Sequence, residues 1–467
     1  MLNEFLIIMR SELVITVIIF LLLLLKLGKG LSNQTVLNIV YACLLISTIA
    51  PFFGELQGRL FAGLFVATPM IFFQKALLSG GVLLIALLNY DWLKKHAHLP
   101  EFFVLLLSAL LGMFLMISSG NLLIFYLSLE LSTIPVAALA NFDLDKKRSS
   151  EAAMKMILSS AFSSGILLFG ISLLYGATGT IQFADMASHL TGGDALELVG
   201  FILFFTGFAF KLSIVPFHLW TADVYEGAPV AVTSFLSVIS KSSVAFIFLT
   251  ILYKVFQPLG PAIYQLLVIL SLATLIIGNL FALRQTNLKR FLAFSSIAQV
   301  GFILVGISGG SSAGAISVVY FILIYTFSNL AAFGVISIIS EATGKETIDD
   351  YKGLYKNNKL LSWVIAIALF SLAGIPPTAG FFGKLFLIMA GAAKGQIWFI
   401  VVVVLNLVVS LYYYLRIVRA IFMDTNERPI ETVMVNGIPK FTLLVCTVAI
   451  ITIGLIGWIY EHIQSIN

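Results

Sequence analysis

The segment FAFKLSIVPFHLW, residues 208–220, sets a lysine and a proline inside an otherwise apolar run that extends over 198–219. About 20 such residues are what a helix needs to cross a hydrocarbon core of ~30 Å. Lys211 falls near the middle of the run. A charge at that depth costs ~2.5–3.5 kcal/mol on insertion scales, so it faces a bundle interior, a partner charge or water. Pro216 donates no backbone hydrogen bond and frees the Leu212 carbonyl beside the lysine. Non-helical backbone inside a membrane is tolerated only where it is buried in protein or lines a cavity. This one stretch therefore predicts a broken, wet transmembrane helix in a multi-span bundle.

The whole chain agrees with that reading. Of 467 residues, 60% are hydrophobic and 10% charged, whereas a soluble domain carries roughly a quarter charged residues. Fourteen apolar segments are long enough to span: 8–25, 36–53, 72–90, 102–118, 122–140, 152–175, 198–219, 230–253, 263–283, 291–307, 315–339, 361–390, 397–423 and 441–460. The first is read as a retained span because no small-residue cleavage site follows it. With these segments, eighteen Lys and Arg fall on one side, among them Lys26, Lys29, Lys94, Lys95, Lys146, Lys147, Arg148, Lys289 and Arg290, against Arg10, Arg59, Lys254 and Lys394 on the other. Cytoplasmic loops hold the excess, so both termini face outward. The net charge of +5 is thereby a matter of topology, and a nucleic-acid partner is set aside. Trp92, Trp220, Trp363, Trp398 and Trp458 fall at span ends, as in an interfacial aromatic belt. Cys43 and Cys446 lie in apolar runs and indicate neither a disulfide framework nor a metal site.

The fold class expected is an all-α membrane protein of about fourteen transmembrane helices in a single polytopic domain, 1–467. Three N-terminal helices (8–90) precede five helices over 102–253, five more over 263–423 and a last one at 441–460. The two groups of five begin on opposite sides, which suits an inverted repeat with discontinuous helices.

Five lysines and one glutamate are left inside the membrane. Glu130 lies mid-span; its bland reading is a protonated carboxyl or a structural ion pair. Lys155 is near a cytoplasmic helix end, where it snorkels or reaches back toward Glu130. Lys241 is central and flanked by Ser240, Ser242 and Ser243, whose hydroxyls could hold water beside the amine. Lys384 follows Gly374, Pro376, Pro377, Gly380 and Gly383 in a segment of 30 residues, 361–390. As one helix it would be ~45 Å long, so a break is expected near Lys384. Lys75 is near an outer span end, and snorkelling explains it. His218 either relays protons or caps a loop, and Asp223 and Glu226 in the adjoining loop are either an acidic entrance or ordinary loop carboxylates.

An ammonium in water holds its proton too firmly to pass it on near neutrality, but burial and the approach or retreat of a neighbouring charge switch an amine between holding and releasing. Hydroxyls of Ser128, Ser240, Ser295, Ser296, Tyr325 and Thr326 could be bridged by water between lysines too far apart to touch. Moving a proton against a membrane potential costs ~2.3 kcal/mol per 100 mV. The sequence has no phosphate-binding loop, iron–sulfur cysteine cluster or dinucleotide fingerprint to supply it, so the energy is expected from a partner.

At FYLSLELSTIP (125–135), EAAMKMILSS (151–160), FKLSIVPFHLWTADVYEGAPVAVTSFLSVISK (210–241), LKRFLAFSSIAQVGF (288–302) and SLAGIPPTAGFFGK (371–384) the chain resembles the antiporter-like membrane subunits of respiratory complex I. It is most similar to the N-type branch: it ends soon after Tyr460 without a lateral-helix extension and has Lys384 where M-type relatives typically have glutamate. The resemblance implies a fourteen-helix fold with two inverted half-channels, driven by quinone reduction elsewhere in the complex. It implies that Glu130 is the coupling glutamate and that Lys155, Lys211, Lys241 and Lys384 are channel lysines, with His218, Gln299, Ser295, Ser296 and Tyr325 as relay candidates. Many relatives have histidine where this chain has Gln299, which shifts that link toward water. No cofactor or metal is expected on this subunit; NADH, FMN, iron–sulfur clusters and quinone belong to partners. Those partners are K- and M-type neighbours and quinone-site subunits in a bacterial inner membrane. Three other readings compete: a subunit of a multi-subunit cation/proton antiporter, a solute carrier with a mid-membrane site, and a non-conducting scaffold.

Overall fold

The computed structural model describes residues 2–28, 31–54 and 57–467. Lys29, counted above among the cytoplasmic cations, lies outside the described residues. Twelve helices among the described residues are long and apolar enough to cross a membrane, so the chain is a helical, multi-pass membrane protein. They overlap twelve of the fourteen segments. The first segment is the Arg10–Leu27 helix, which carries Arg10, Glu12 and Lys26. Segment 361–390 is two shorter apolar helices, Lys359–Ala373 and Ala379–Ala392, which is the expected discontinuity.

Caps mark where the helices start and stop. Asn121 accepts the Ile124 N–H (2.7 Å) ahead of Leu122–Ala140. Asn287 accepts those of Lys289 (2.9 Å) and Arg290 (3.1 Å) ahead of Leu288–Ser308, satisfying donors that a helix start leaves free. The long helices Lys147–Thr178 and Ser312–Thr343 end at Gly179 and Gly344, each in the left-handed region.

The bundle is layered by burial. The apolar stretch of Leu288–Ser308 is buried throughout and that of Ser312–Thr343 nearly so, whereas two-thirds of the residues in Ile397–Phe422 and Gly437–Leu455 are not buried. Water drives no helix association in lipid, so helices approach through small residues. A β-carbon on Gly170 would lie 2.3 Å from the Phe204 backbone nitrogen, which is how Lys147–Thr178 and Ala195–Leu212 come into contact.

A short antiparallel hairpin, Gly58–Leu60 with Phe65–Ala67, joins two helices of the all-α fold; it lies between segments, where no apolar periodicity signals it. Three expectations are corrected. Asp223 and Glu226 sit on a helix, Leu219–Gly227, not in a loop. Trp220 is buried, its indole N–H donating to the Phe210 carbonyl at 3.0 Å, so it is no belt residue. Lys75 does not snorkel: its side chain is 0% exposed and pairs at 2.6 Å with Glu12, 3% exposed.

Gly170→Val should therefore destabilise the bundle by about 1–3 kcal/mol, while Gly176→Ala in the same helix, with open space around it, should not. Unfolding midpoints of the two purified variants, set against the native protein, check this.

Candidate functional site

The interrupted helix at Lys211 is closed by its own backbone and by hydroxyls around it. Ala195–Leu212 ends at Ser213, in the left-handed region at φ 63°. The Ser213 and Ile214 N–H groups turn back to the carbonyls of Phe210 (3.0 Å) and Ala209 (2.8 Å). The Val215 N–H donates to Thr274 Oγ1 at 3.2 Å, and Thr221 donates to Ser213 Oγ at 2.6 Å. Much of the break is thus satisfied by protein where water was expected. Lys211 Nζ, buried, donates to Thr133 Oγ1. Thr133 lies three residues beyond Glu130 on Leu122–Ala140, hence on the same face. Glu130 itself is half-buried and accepts the Ser164 hydroxyl at 2.5 Å.

Lys241 follows a π-helical turn, Phe235–Ser240, a form that recurs at functional sites. Its amine donates to Ser296 Oγ at 2.8 Å and lies 5.6 Å from the Tyr225 ring. The serines flanking it do not serve it. Ser242 and Ser243 donate to the Val238 (2.6 Å) and Ser240 (2.8 Å) carbonyls of their own helix, the usual competitor for a helical hydroxyl. A cavity of ≈ 10 Å³ lies against Lys241, Ser296, Gln299 and Tyr325, about the room one water needs. Ser237 shares a hydrogen bond with Tyr325 (3.0 Å) and accepts one from Asn329 (2.9 Å).

Lys384 completes the far end. Lys359–Ala373 stops at Gly374, φ 84°, and its last carbonyls have no helical N–H to meet. Lys384 Nζ donates to those of Leu372 (2.6 Å) and Ala373 (3.4 Å) and stands 4.7 Å from the Phe302 ring. Gln299 Nε2 reaches the same Leu372 carbonyl at 3.0 Å and the Tyr414 hydroxyl at 2.9 Å. Tyr414 in turn meets Ser295 at 2.5 Å. Ser296 and Gln299 are one turn apart on Leu288–Ser308, so polar groups succeed one another from Lys241 through Ser296, Gln299 and the Leu372 carbonyl to Lys384. Tyr414 and the Leu372 carbonyl carry no sequence signal of this role; they are brought in by folding.

His218 is buried, with Nδ1 unpartnered among the described residues, and stands within electrostatic reach of Lys241. It stands at the N-terminus of Leu219–Gly227, where its ring meets the Pro216 backbone, and does not lie at the protein surface. Of the two placements expected for Lys155 it takes the outward one: its side chain is 42% exposed and bonds Glu151 and Asp223, each at 2.7 Å, and not Glu130. Asp223 and Glu226 are also held by Arg290, at 2.7 and 3.0 Å, so they are neither an open acidic entrance nor loop carboxylates. Partial burial pushes the Asp223 carboxyl up, but the hydrogen bonds and charges of Lys155 and Arg290 outweigh it and hold the group below the usual carboxylate range. Lys289, counted as a loop cation, is buried and pairs with Glu346 at 3.2 Å; such a partner 57 residues away is invisible to local pattern. Among the described residues no group of three or more His, Cys, Asp or Glu is arranged to hold a metal ion.

Interior lysines at two interrupted helices of a polytopic bundle define an antiporter-like membrane protein. A family model described as NADH:quinone oxidoreductase/Mrp antiporter, TM, matches residues 119–410. NADH-quinone oxidoreductase subunit N of Phocaeicola vulgatus is 46% identical over 98% of both chains. That of Azobacteroides pseudotrichonymphae is 44% identical over 93% of this chain and 91% of its own. A chain of respiratory complex I from Thermus thermophilus superposes with a TM-score of 0.81 at 27% identity, covering 97% of this chain and 98% of that one. The chain belongs to the NADH-quinone oxidoreductase subunit N family.

A depressed carboxylate stabilises the fold above its unfolded value, and that contribution is lost as pH falls through the folded one. Asp223→Asn should thus lower the unfolding midpoint by a constant amount above about pH 5, and the gap to the native protein should close below about pH 4. A gap unchanged down to pH 3 would remove Asp223 from the ion-pair cluster.

Proposed function

We propose that this chain is the N-type membrane subunit of a proton-translocating NADH:quinone oxidoreductase and that it conducts protons through its interior while redox chemistry proceeds on other subunits. Family membership and 46% identity to a subunit of that name over nearly the full length support the assignment. The observation that carries the mechanism is the Leu372 carbonyl. It is shared by Gln299 and Lys384, and Gln299 lies one turn from Ser296, which holds Lys241, so the reading needs only a water between Ser296 and Gln299 to link the two lysines.

In this reading Glu130 receives the electrostatic signal from a neighbouring subunit. Lys211, bonded to Thr133 three residues beyond Glu130, gains or loses its proton in response. Lys241 and Lys384 follow, each amine releasing when the charge before it arrives and reloading when it leaves. Their contacts are neutral oxygens of Thr133, Ser296 and Leu372, so no fixed anion pins the ammonium in place. Gln299 does not titrate and serves as a fixed bridge, with Ser295, Ser296, Tyr325 and water carrying the proton. His218 relays toward Lys241. Lys155 works at the rim through Asp223 and not within the file. Helices over 102–253 and 263–423 are two inverted half-channels behind three N-terminal helices and before the last. NADH, FMN, iron–sulfur clusters and quinone are carried by partner subunits, and K- and M-type neighbours flank this one. The setting is a bacterial inner membrane with both termini outside.

Lys211→Ala and Glu130→Ala should assemble into the complex normally and lose most proton pumping, as losses of functional intramembrane charges do. Proton uptake by inverted vesicles, measured beside NADH oxidation and a native gel for assembly, reads this. Full pumping by both variants at normal assembly would refute the roles given to them.

A further inference from the structure

The Glu12–Lys75 pair takes no part in the lysine file, and fold stability does not account for it. The two groups are 2.6 Å apart with side chains 3% and 0% exposed. Phe65 of the hairpin and Phe72 stand 4.9 and 5.4 Å from the amine. Replacing such a pair by apolar residues of similar size is commonly neutral or stabilising, so packing alone would favour carbon here. Ser11 Oγ and Gln74 Oε1, in the residues next to the pair, are buried without partners among the described residues, polar atoms that packing alone does not explain. Arg10, on Glu12's own helix and stacked 3.7 Å over Phe72, is the other charge acting on Lys75.

The pair is also connected inward. One turn along Pro69–Leu88 from Lys75, Ser79 shares a 3.0 Å hydrogen bond with Ser47. Beyond it Gly81 lies against the π turn that precedes Lys241. A β-carbon there would come within 2.4 Å of the Ile239 side-chain end and 3.5 Å of Thr326, so the two helices are in close contact at this glycine. The helix that carries Lys75 therefore bears directly on the turn that precedes Lys241.

We infer that Glu12 and Lys75 form a second proton-holding couple, separate from the lysine file and serving the membrane face at which the hairpin lies. The inference rests on the proton-conducting reading above. At rest the couple is carboxylate and ammonium, net neutral. It takes up one proton on the Glu12 carboxylate to become carboxyl and ammonium, and returns to rest by giving that proton to water. The file lysines, whose partners are neutral oxygens, instead alternate between cation and amine.

The test uses the intact complex with Glu12→Gln/Lys75→Met, which removes both charges together so that neither is stranded. The ratio of protons pumped to electrons transferred should fall below the native value at normal assembly, as expected when a functional intramembrane charge is lost. A native ratio at normal assembly would overturn the inference and leave the pair as a brace. Should the double variant fail to assemble, infrared difference spectra of the native complex and Glu12→Asp during turnover decide. A protonated-carboxyl band that shifts in Glu12→Asp supports the couple, and its absence overturns it. Lys211→Ala, run in parallel, separates the two readings. If it loses pumping while the double variant keeps the native ratio, only the couple is wrong; if Lys211→Ala itself pumps at the native ratio, the file fails and the couple with it.

Discussion

A charge in hydrocarbon must find a partner inside the protein, and most of this molecule follows from how that constraint is met. Lys75 and Lys289 are buried against carboxylates, Glu12 and Glu346. Lys155, nearer the surface, sits between two more. Lys211, Lys241 and Lys384 differ in kind: each amine touches a hydroxyl or a backbone carbonyl. A neutral oxygen solvates an ammonium without balancing its charge, so these three sites remain responsive to charge arriving elsewhere. The division between pinned and responsive lysines is the physical basis of the transport reading.

The broken helices serve the same end. A continuous helix buries its own carbonyls in the i→i−4 ladder and leaves none for a lysine. By stopping at Ala373 before Gly374, Ile375 and the two prolines, the chain leaves the Leu372 carbonyl for both Gln299 and Lys384. The π turn before Lys241 is a milder form of the same device, inserted into a helix that otherwise continues to Lys254. Around these sites the helices Leu288–Ser308 and Ser312–Thr343 are almost wholly buried and keep lipid away from the polar groups.

Much of this was legible in the sequence. The apolar segments, the interruptions at Pro216 and at Gly374–Pro377, and the central lysines follow from length, breaker residues and the cost of charge, all local signals. Partners were not legible. Ser242 and Ser243 were the natural candidates beside Lys241, yet the hydroxyl that meets the amine is Ser296, 55 residues away on a packed neighbouring helix, which no local pattern reveals. Lys75 read as a snorkelling residue because Glu12 belongs to another helix, and Lys155 read as an interior charge because Asp223 lies beyond the break. The hairpin escaped notice because six residues of strand in a loop leave no periodic trace.

The central claim is that Lys211, Lys241 and Lys384 are joined by a hydrated polar interior. The most direct measurement is a structure of the intact complex in lipid nanodiscs at a resolution that reveals ordered water. Waters spaced at about 3 Å, running from Lys211 past His218 to Lys241 and on beside Gln299 to Lys384, are the expected result. Side chains packed dry between the three amines would contradict it.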